Sequence, residues 1–160
     1  SQTLGFSAAD TLKLLVVVQL SAAFGAFGLG ALSDRIGHAR VIVSTLVVWC
    51  AVIVAAVLVT SEEGFWVVAL VVGFVMGATQ SASRGLLAAI VPPAEAGELF
   101  GFKAVAGRFS AVLGPLLFGW ISATTGSQRI ALGTIGLFFL AGLYLMRGVR
   151  EEDLRAGFVH

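Results

Sequence analysis

The sequence predicts an all-α integral membrane protein. Hydrophobic residues make up 58% of the 160 positions and charged residues only 12%, against about 25% charged residues in soluble globular chains. The mean hydropathy is +1.00, which excludes a disordered chain because disorder requires low hydrophobicity. With this composition, a soluble domain of 160 residues would have too few polar side chains to cover its surface. We therefore expect the apolar segments to face lipid.

Five stretches are long and apolar enough to cross a bilayer as helices, since a helix needs about 20 residues to span a core of roughly 30 Å. They cover residues 12–32, 41–59, 65–91, 100–122 and 130–146. The third is expected to end before the Pro92-Pro93 pair, and the fifth is short but is followed by Arg147, whose side chain can reach the headgroups. Strands are excluded because the stretches lack two-residue alternation and an open sheet cannot satisfy its backbone in lipid.

Basic residues are distributed unevenly among the connections, which predicts the orientation of the single membrane domain, residues 1–160. Eight of them are expected on one side, namely Arg35, Arg40, Arg84, Lys103, Arg108, Arg147, Arg150 and Arg155, against two on the other, Lys13 and Arg129. Cytoplasmic connections carry the excess of Lys and Arg. We therefore expect a cytoplasmic tail at residues 147–160 and an N-terminus outside. A chain that begins at Ser1 suggests that sequence is missing upstream.

Polar residues inside the spans single out candidates for a cavity lining. The candidates are Gln19 in the first span, Gln80 and Arg84 in the third, and Arg108 in the fourth. Such side chains cost several kcal/mol when they face lipid, so they are normally turned toward other helices or water. Spans one, three and four are therefore expected to line a cavity, while spans two and five support them.

The third span has a stripe that permits two interpretations. Gly73, Gly77, Gln80 and Arg84 recur at three- and four-residue steps, which places them on one face of a helix. The stripe is either a cavity wall or a packing face of small residues, with Arg84 reaching headgroups or backbone carbonyls.

The fourth span contains Gly114-Pro115, and the proline removes one backbone hydrogen bond. We expect a kink there, which is either a bending point in a moving helix or a static packing feature. Lys103 is expected to extend to the headgroups, whereas Arg108 lies deep enough to need a partner.

The connection between the first two spans has the pattern GxLxDRxGxxR, from Gly30 to Arg40. Gly30 would allow the helix end to lie close to a neighbour, and Gly37 would permit a tight turn. Asp34 can cap the next helix or pair with a cation, while Arg35 and Arg40 set the sidedness. Beside the N-terminus of a neighbouring helix, Asp34 would form a latch that opens when two halves of a protein rock apart.

This pattern resembles the loop signature of the major facilitator superfamily, which lies between the second and third helices of each six-helix half. Segments 77–84, 98–102 and 114–119, with the Pro92-Pro93 turn, resemble the C-terminal half of the vacuole-effluxer-like family, which has bacterial members. The resemblance implies that the five spans are helices eight to twelve of a twelve-helix transporter, located in a bacterial inner membrane. At the position where the superfamily usually has an arginine, this chain has Ala69. The role of that arginine in energy coupling is therefore not implied for this chain.

The function that the resemblance implies is secondary transport of a small polar solute, such as an amino acid, by alternating access. The implied partners are the solute, membrane lipid and a missing N-terminal half. The alternative is a non-transporting interaction module or assembly subunit that kept the fold.

Other classes of function are not expected from the residues. No paired carboxylates or Ser–His set lies inside the spans, so we expect no enzyme. One cysteine and two histidines leave too few ligands for a closed zinc site, and no other cofactor is implied. A net charge of +1 does not indicate a positively charged surface that would bind nucleic acid.

Overall fold

The computed structural model describes residues 8–92 and 94–149, and within them it contains five α-helices and no strand. The helices are α1 (Ala8–Ile36), α2 (His38–Leu58), α3 (Glu62–Ile90), α4 (Ala96–Thr125) and α5 (Gln128–Met146). All five are long and apolar enough to cross a membrane, which confirms the predicted all-α membrane class. Most of the helices extend beyond the apolar stretches because the polar residues at their ends continue the helical backbone. The end of the predicted tail, residues 150–160, lies outside the described residues.

Local capping signals fix several helix ends. The Ser61 hydroxyl accepts a hydrogen bond of 3.2 Å from the Gly64 amide at the start of α3. The Ser127 hydroxyl accepts one of 3.4 Å from the Ile130 amide at the start of α5. Both satisfy amides that have no partner within the helix. Gly126 ends α4 in the left-handed conformation, with φ 66°, where glycine carries no steric penalty.

A single residue, Gly37, connects α1 to α2. Its backbone has φ 97° and ψ 135°, a conformation that side chains disfavour, so the predicted role of Gly37 in a tight turn is confirmed. Asp34 lies in the last turn of α1, and one of its carboxylate oxygens lies 3.7 Å from the Nε2 of His38 in the first turn of α2. Among the described residues the structure shows this contact and no hydrogen bond from an α2 amide to Asp34, so capping of the next helix by Asp34 is not observed there.

Helices α1 and α3 form the most extensive helix pair in the bundle. A methyl group added at Gly73 would collide with the carbonyl of Val18, and one added at Gly77 would collide with the carbonyl of Ala22. The two backbones can approach this closely only because both positions lack a side chain. Gly73 and Gly77 therefore serve helix packing, which was one of the two interpretations of the stripe.

Helix α2 joins the α1–α3 pair to α5. The indole nitrogen of Trp49 donates a hydrogen bond of 3.3 Å to the Thr79 hydroxyl of α3. The Trp49 ring also stacks on Phe139 of α5, with ring centroids 4.9 Å apart. One side chain of α2 thus contacts both neighbours, and six residues of α2 are buried.

Helix α4 packs mainly on α5 and touches α3 only slightly. None of its residues is buried. The helix continues through Gly114 and Pro115, so the proline does not break it, and a bending role at this point stays a prediction. Most of the surface of α4 is therefore open.

Candidate functional site

Two polar residues of α3, Gln80 and Arg84, lie on exposed positions of the helix. Both are exposed, whereas Gly73 and Gly77 are buried. The stripe of small and polar residues therefore has two parts: the two glycines pack on α1, and the positions of Gln80 and Arg84 lie at the surface.

Lys103 of α4 joins these polar residues of α3. Its ammonium donates a hydrogen bond of 3.1 Å to the Ser83 hydroxyl. This hydroxyl in turn donates a hydrogen bond of 3.2 Å to the backbone carbonyl of Gln80, one turn earlier in α3. Sequence reasoning placed the Lys103 side chain among the headgroups, but the structure turns it sideways onto the neighbouring helix. Ser83 and Lys103 belong to the site although neither was among the cavity candidates, because their proximity depends on how α4 approaches α3.

Positive charge is concentrated at this contact. Arg84 directly follows Ser83 in α3, and Ser83 is the residue that accepts the hydrogen bond from the Lys103 ammonium. Arg84 makes no hydrogen bond or ion pair within the described part of the chain, and neither does Arg108. The partner that Arg108 was expected to need is therefore not found among residues 8–92 and 94–149.

The remaining cavity candidates lie at some distance from this contact. Gln19 is exposed on α1 and follows Val18, which meets α3 at Gly73. Gly73 precedes Gln80 by about two turns, or roughly 10 Å. Arg108 is exposed on α4, more than one turn beyond Lys103. The structure therefore brings Gln80, Ser83, Arg84 and Lys103 together, but it does not bring Gln19 or Arg108 to them.

The motif between α1 and α2 forms a polar contact at the same end of the bundle. The buried Ser33 hydroxyl donates a hydrogen bond of 2.7 Å to the Gly30 backbone carbonyl. The Nδ1 of His38 lies 3.0 Å from the Ser33 hydroxyl oxygen. Because the hydroxyl hydrogen is directed to Gly30, Nδ1 is the donor in the His38–Ser33 hydrogen bond. The Nε2 of His38 lies 3.7 Å from an Asp34 carboxylate oxygen. The imidazole also fills the space in front of Gly85 of α3. His38 thus connects the end of α1 to α3. Sequence reasoning missed this role because no sequence pattern predicts a contact between His38 and α3.

The charged residues of the motif are exposed. Asp34, Arg35 and Arg40 all lie at the surface. Gly30 lies against α3, since a methyl group added there would come within 2.6 Å of the Ser81 hydroxyl oxygen. The predicted close approach at Gly30 is therefore confirmed, whereas the gating role of the motif stays a prediction.

Five apolar helices with cations concentrated at one end define a polytopic helical membrane protein. The chain belongs to the family described as "Vacuole effluxer Atg22 like", which matches residues 1–156. This confirms the family resemblance drawn from the motifs. The family is described as an effluxer, and the Bacillus subtilis relative described next is named a transporter, which confirms that the chain is not an enzyme.

Two curated relatives show the extent of the similarity. The chain is 30% identical over 149 residues to an "Uncharacterized MFS-type transporter YxiO" of Bacillus subtilis (strain 168), which is 93% of this chain and 35% of that protein. It is 31% identical over 80 residues to "Autophagy-related protein 22" of Kluyveromyces lactis, which is 50% of this chain and 16% of that protein. The chain thus spans about a third or less of the relatives that it matches. No solved structure matches the chain.

Proposed function

We propose that the chain forms part of a secondary transporter that moves a small polar solute, such as an amino acid, by alternating access. The observation that carries the proposal is the cluster of Gln80, Ser83, Arg84 and Lys103 at the open side of α3 and α4. The family and relatives, named for efflux and transport, support it. Hydrated groups on helices of this apolarity require a water-filled space or a polar partner.

We infer that the five helices are most of one six-helix half, and that further sequence supplies the other half. The share of the relatives that the chain covers supports this inference, because the chain matches only 35% of YxiO. The open surface of α4, with no buried residue, offers a face for additional helices.

The orientation that we propose places the Gly37 turn and the cation cluster in or near the cytoplasm of a bacterium, with the membrane being the inner membrane. The contact between His38 and Gly85 supports a common end for both features. The excess of Lys and Arg at this end agrees with the positive-inside rule. Gly30, Asp34, Arg35, Gly37 and Arg40 then form a gating loop that faces the other half.

Uptake by the full-length protein in proteoliposomes tests the proposal, with a radiolabelled amino-acid mixture as the probe. Arg84→Ala and Gln80→Ala are expected to lower the uptake by about tenfold or more, since a hydrogen bond to a charged group contributes roughly 1.5–3 kcal/mol. Arg129→Ala is the matched control, because Arg129 is an exposed arginine in the first turn of α5, away from the cluster.

Unchanged uptake in both Arg84→Ala and Gln80→Ala would remove these residues from the transport path. A wild-type protein that carries none of the mixture, yet co-purifies stoichiometrically with another membrane protein, would favour the alternative of a non-transporting interaction module.

A further inference from the structure

Two cations share the α3–α4 contact without a counter-charge among the described residues. The Lys103 ammonium is held by the Ser83 hydroxyl, and Arg84 is the next residue of α3 after Ser83. The ion pairs found among residues 8–92 and 94–149 involve other groups, Lys13 with Asp10 and His38 with Asp34. Two positive charges without a counter-charge favour an anion that can bind both.

The donors at this contact outnumber the acceptors. The Lys103 ammonium has three N–H groups, of which the Ser83 hydroxyl accepts one. The Ser83 hydrogen is itself directed to the Gln80 carbonyl. Arg84 has five N–H groups in a planar fork and donates none of them within the described residues. A group with two or more oxygens and a negative charge complements this arrangement, because a guanidinium fork binds such oxygens in pairs.

The depth and openness of the contact make it accessible from the membrane interface and from water. Ser83 lies about two turns before the end of α3, and Lys103 about two turns after the start of α4, which is roughly 10 Å from the helix ends. Arg84 is exposed, Lys103 is half-buried, and α4 touches α3 only slightly. An anion can therefore reach both cations without displacing a packed side chain.

We propose that Lys103, Ser83 and Arg84 form a binding site for one oxyanion, a carboxylate or a phosphate group. The Arg84 fork binds two of its oxygens, and the Lys103 ammonium, oriented by Ser83, binds one. The anion comes either from a solute, such as one bearing a carboxylate, or from the headgroup of an anionic lipid, for which basic sites between helices at the cytoplasmic side are suited. The solute source rests on the proposed transport function, whereas the binding of an oxyanion does not.

Thermal unfolding of the full-length protein in nanodiscs tests the site, because a ligand that binds the folded state raises the unfolding midpoint. In phosphatidylcholine nanodiscs, sodium acetate is titrated at constant ionic strength, with uncharged acetamide as the matched probe. A second series replaces phosphatidylcholine with phosphatidylglycerol. A midpoint raised by acetate and not by acetamide indicates a solute source, and one raised only by phosphatidylglycerol indicates a lipid source; both outcomes support the site.

The variants Lys103→Gln and Arg84→Gln are expected to weaken the anion response by about tenfold. Lys103→Arg should retain most of the response, whereas Arg84→Lys should retain only part of it, because lysine keeps the charge but loses the planar fork that binds two oxygens. Lys13→Gln is the control, since Lys13 is an exposed lysine of α1 paired with Asp10, and it should respond like the wild type. If Lys103→Gln does not fold, Arg84→Gln decides, because Arg84 makes no bond within the described residues that folding could lose.

The proposal is overturned if neither acetate nor phosphatidylglycerol raises the midpoint, or if Arg84→Gln responds as strongly as the wild type. These outcomes are separate from those of the uptake assay. A protein that binds acetate at this site but transports nothing contradicts the proposed function alone, and a protein that transports without binding an oxyanion here contradicts the site alone.

Discussion

At the scale of single residues, glycine has two different roles in this chain. At Gly37 and Gly126 it supplies a backbone conformation with positive φ, which other residues adopt at a cost. At Gly73 and Gly77 the φ angle is ordinary, and the missing side chain is what matters, because a backbone carbonyl of α1 occupies its place. The two roles predict different responses to substitution.

Substitution of the two positive-φ glycines by asparagine is expected to give unequal results. Gly126 has φ 66° and ψ 8°, a left-handed conformation that asparagine tolerates. Gly37 has φ 97° and ψ 135°, outside that region. Gly37→Asn should therefore lower the free energy of unfolding by about 1–3 kcal/mol, measured by denaturation in detergent. Gly126→Asn is the control and should change it by less than about 1 kcal/mol. Equal losses would show that the Gly37 turn is not strained in the way described.

Residue roles that depend on spacing could be predicted from the sequence, and those that depend on how two helices approach could not. Gly30 and Gly37 were identified from their positions around Asp34, because few backbone conformations allow a short turn between two spans. Lys103 was assigned to the headgroups since most lysines near helix ends lie there. Its contact with Ser83 follows from the position of α4 relative to α3, which no local pattern of either helix specifies.

At the scale of helices, close backbone approach between α1 and α3 is the feature that orders the bundle. The approach is fixed at Gly25, Gly73 and Gly77, each of which would collide with the opposite backbone if it carried a methyl group. The Ser21 hydroxyl of α1 adds a hydrogen bond of 2.7 Å to the Leu70 carbonyl of α3. In lipid, van der Waals contact and hydrogen bonds of this kind drive helix association, since apolar burial gives no advantage over lipid.

Gly77→Ala therefore tests the helix pair. The added methyl group would overlap the Ala22 carbonyl of α1, so the two helices must separate, and we expect the free energy of unfolding in detergent to fall by about 1–3 kcal/mol. Gly28→Ala is the matched control on α1, because a methyl group there meets nothing within 4 Å, and it should be neutral or stabilising by up to about 1 kcal/mol. A Gly77→Ala protein as stable as Gly28→Ala would show that α1 and α3 do not pack this closely.

The number and class of the helices could be predicted from composition, because length and apolarity alone identify a segment that can cross a bilayer. Their partners could not be predicted in the same way. The sequence indicated that spans two and five support the other spans, but it did not show which side chains make the contacts. Trp49 of α2 hydrogen-bonds to Thr79 of α3 and stacks on Phe139 of α5. Such a contact depends on rotation about each helix axis, which an almost uniformly apolar sequence does not encode.

At the scale of the whole molecule, the bundle has two chemically different sides. Between α2 and α5 lies a groove of about 320 Å³ lined by apolar residues that include Ile53, Val54 and Leu137, which suits lipid chains. Between α3 and α4 lie Ser83, Arg84 and Lys103. The proposed transport function requires that the first side face lipid and that the second face a water-filled path.

Accessibility of engineered cysteines to a membrane-impermeant thiol reagent tests this division most directly. Cys50, the single native cysteine, is first replaced by serine, and the full-length protein is labelled in its native membrane. Gln80→Cys is expected to react, because it lies on the polar side of α3. Val54→Cys should stay unmodified although Val54 is 58% exposed in the bundle, because lipid would cover it. Rapid labelling at Gln80 with none at Val54 is the predicted result, and equal labelling at both positions, or none at Gln80, would contradict a water-filled path along α3.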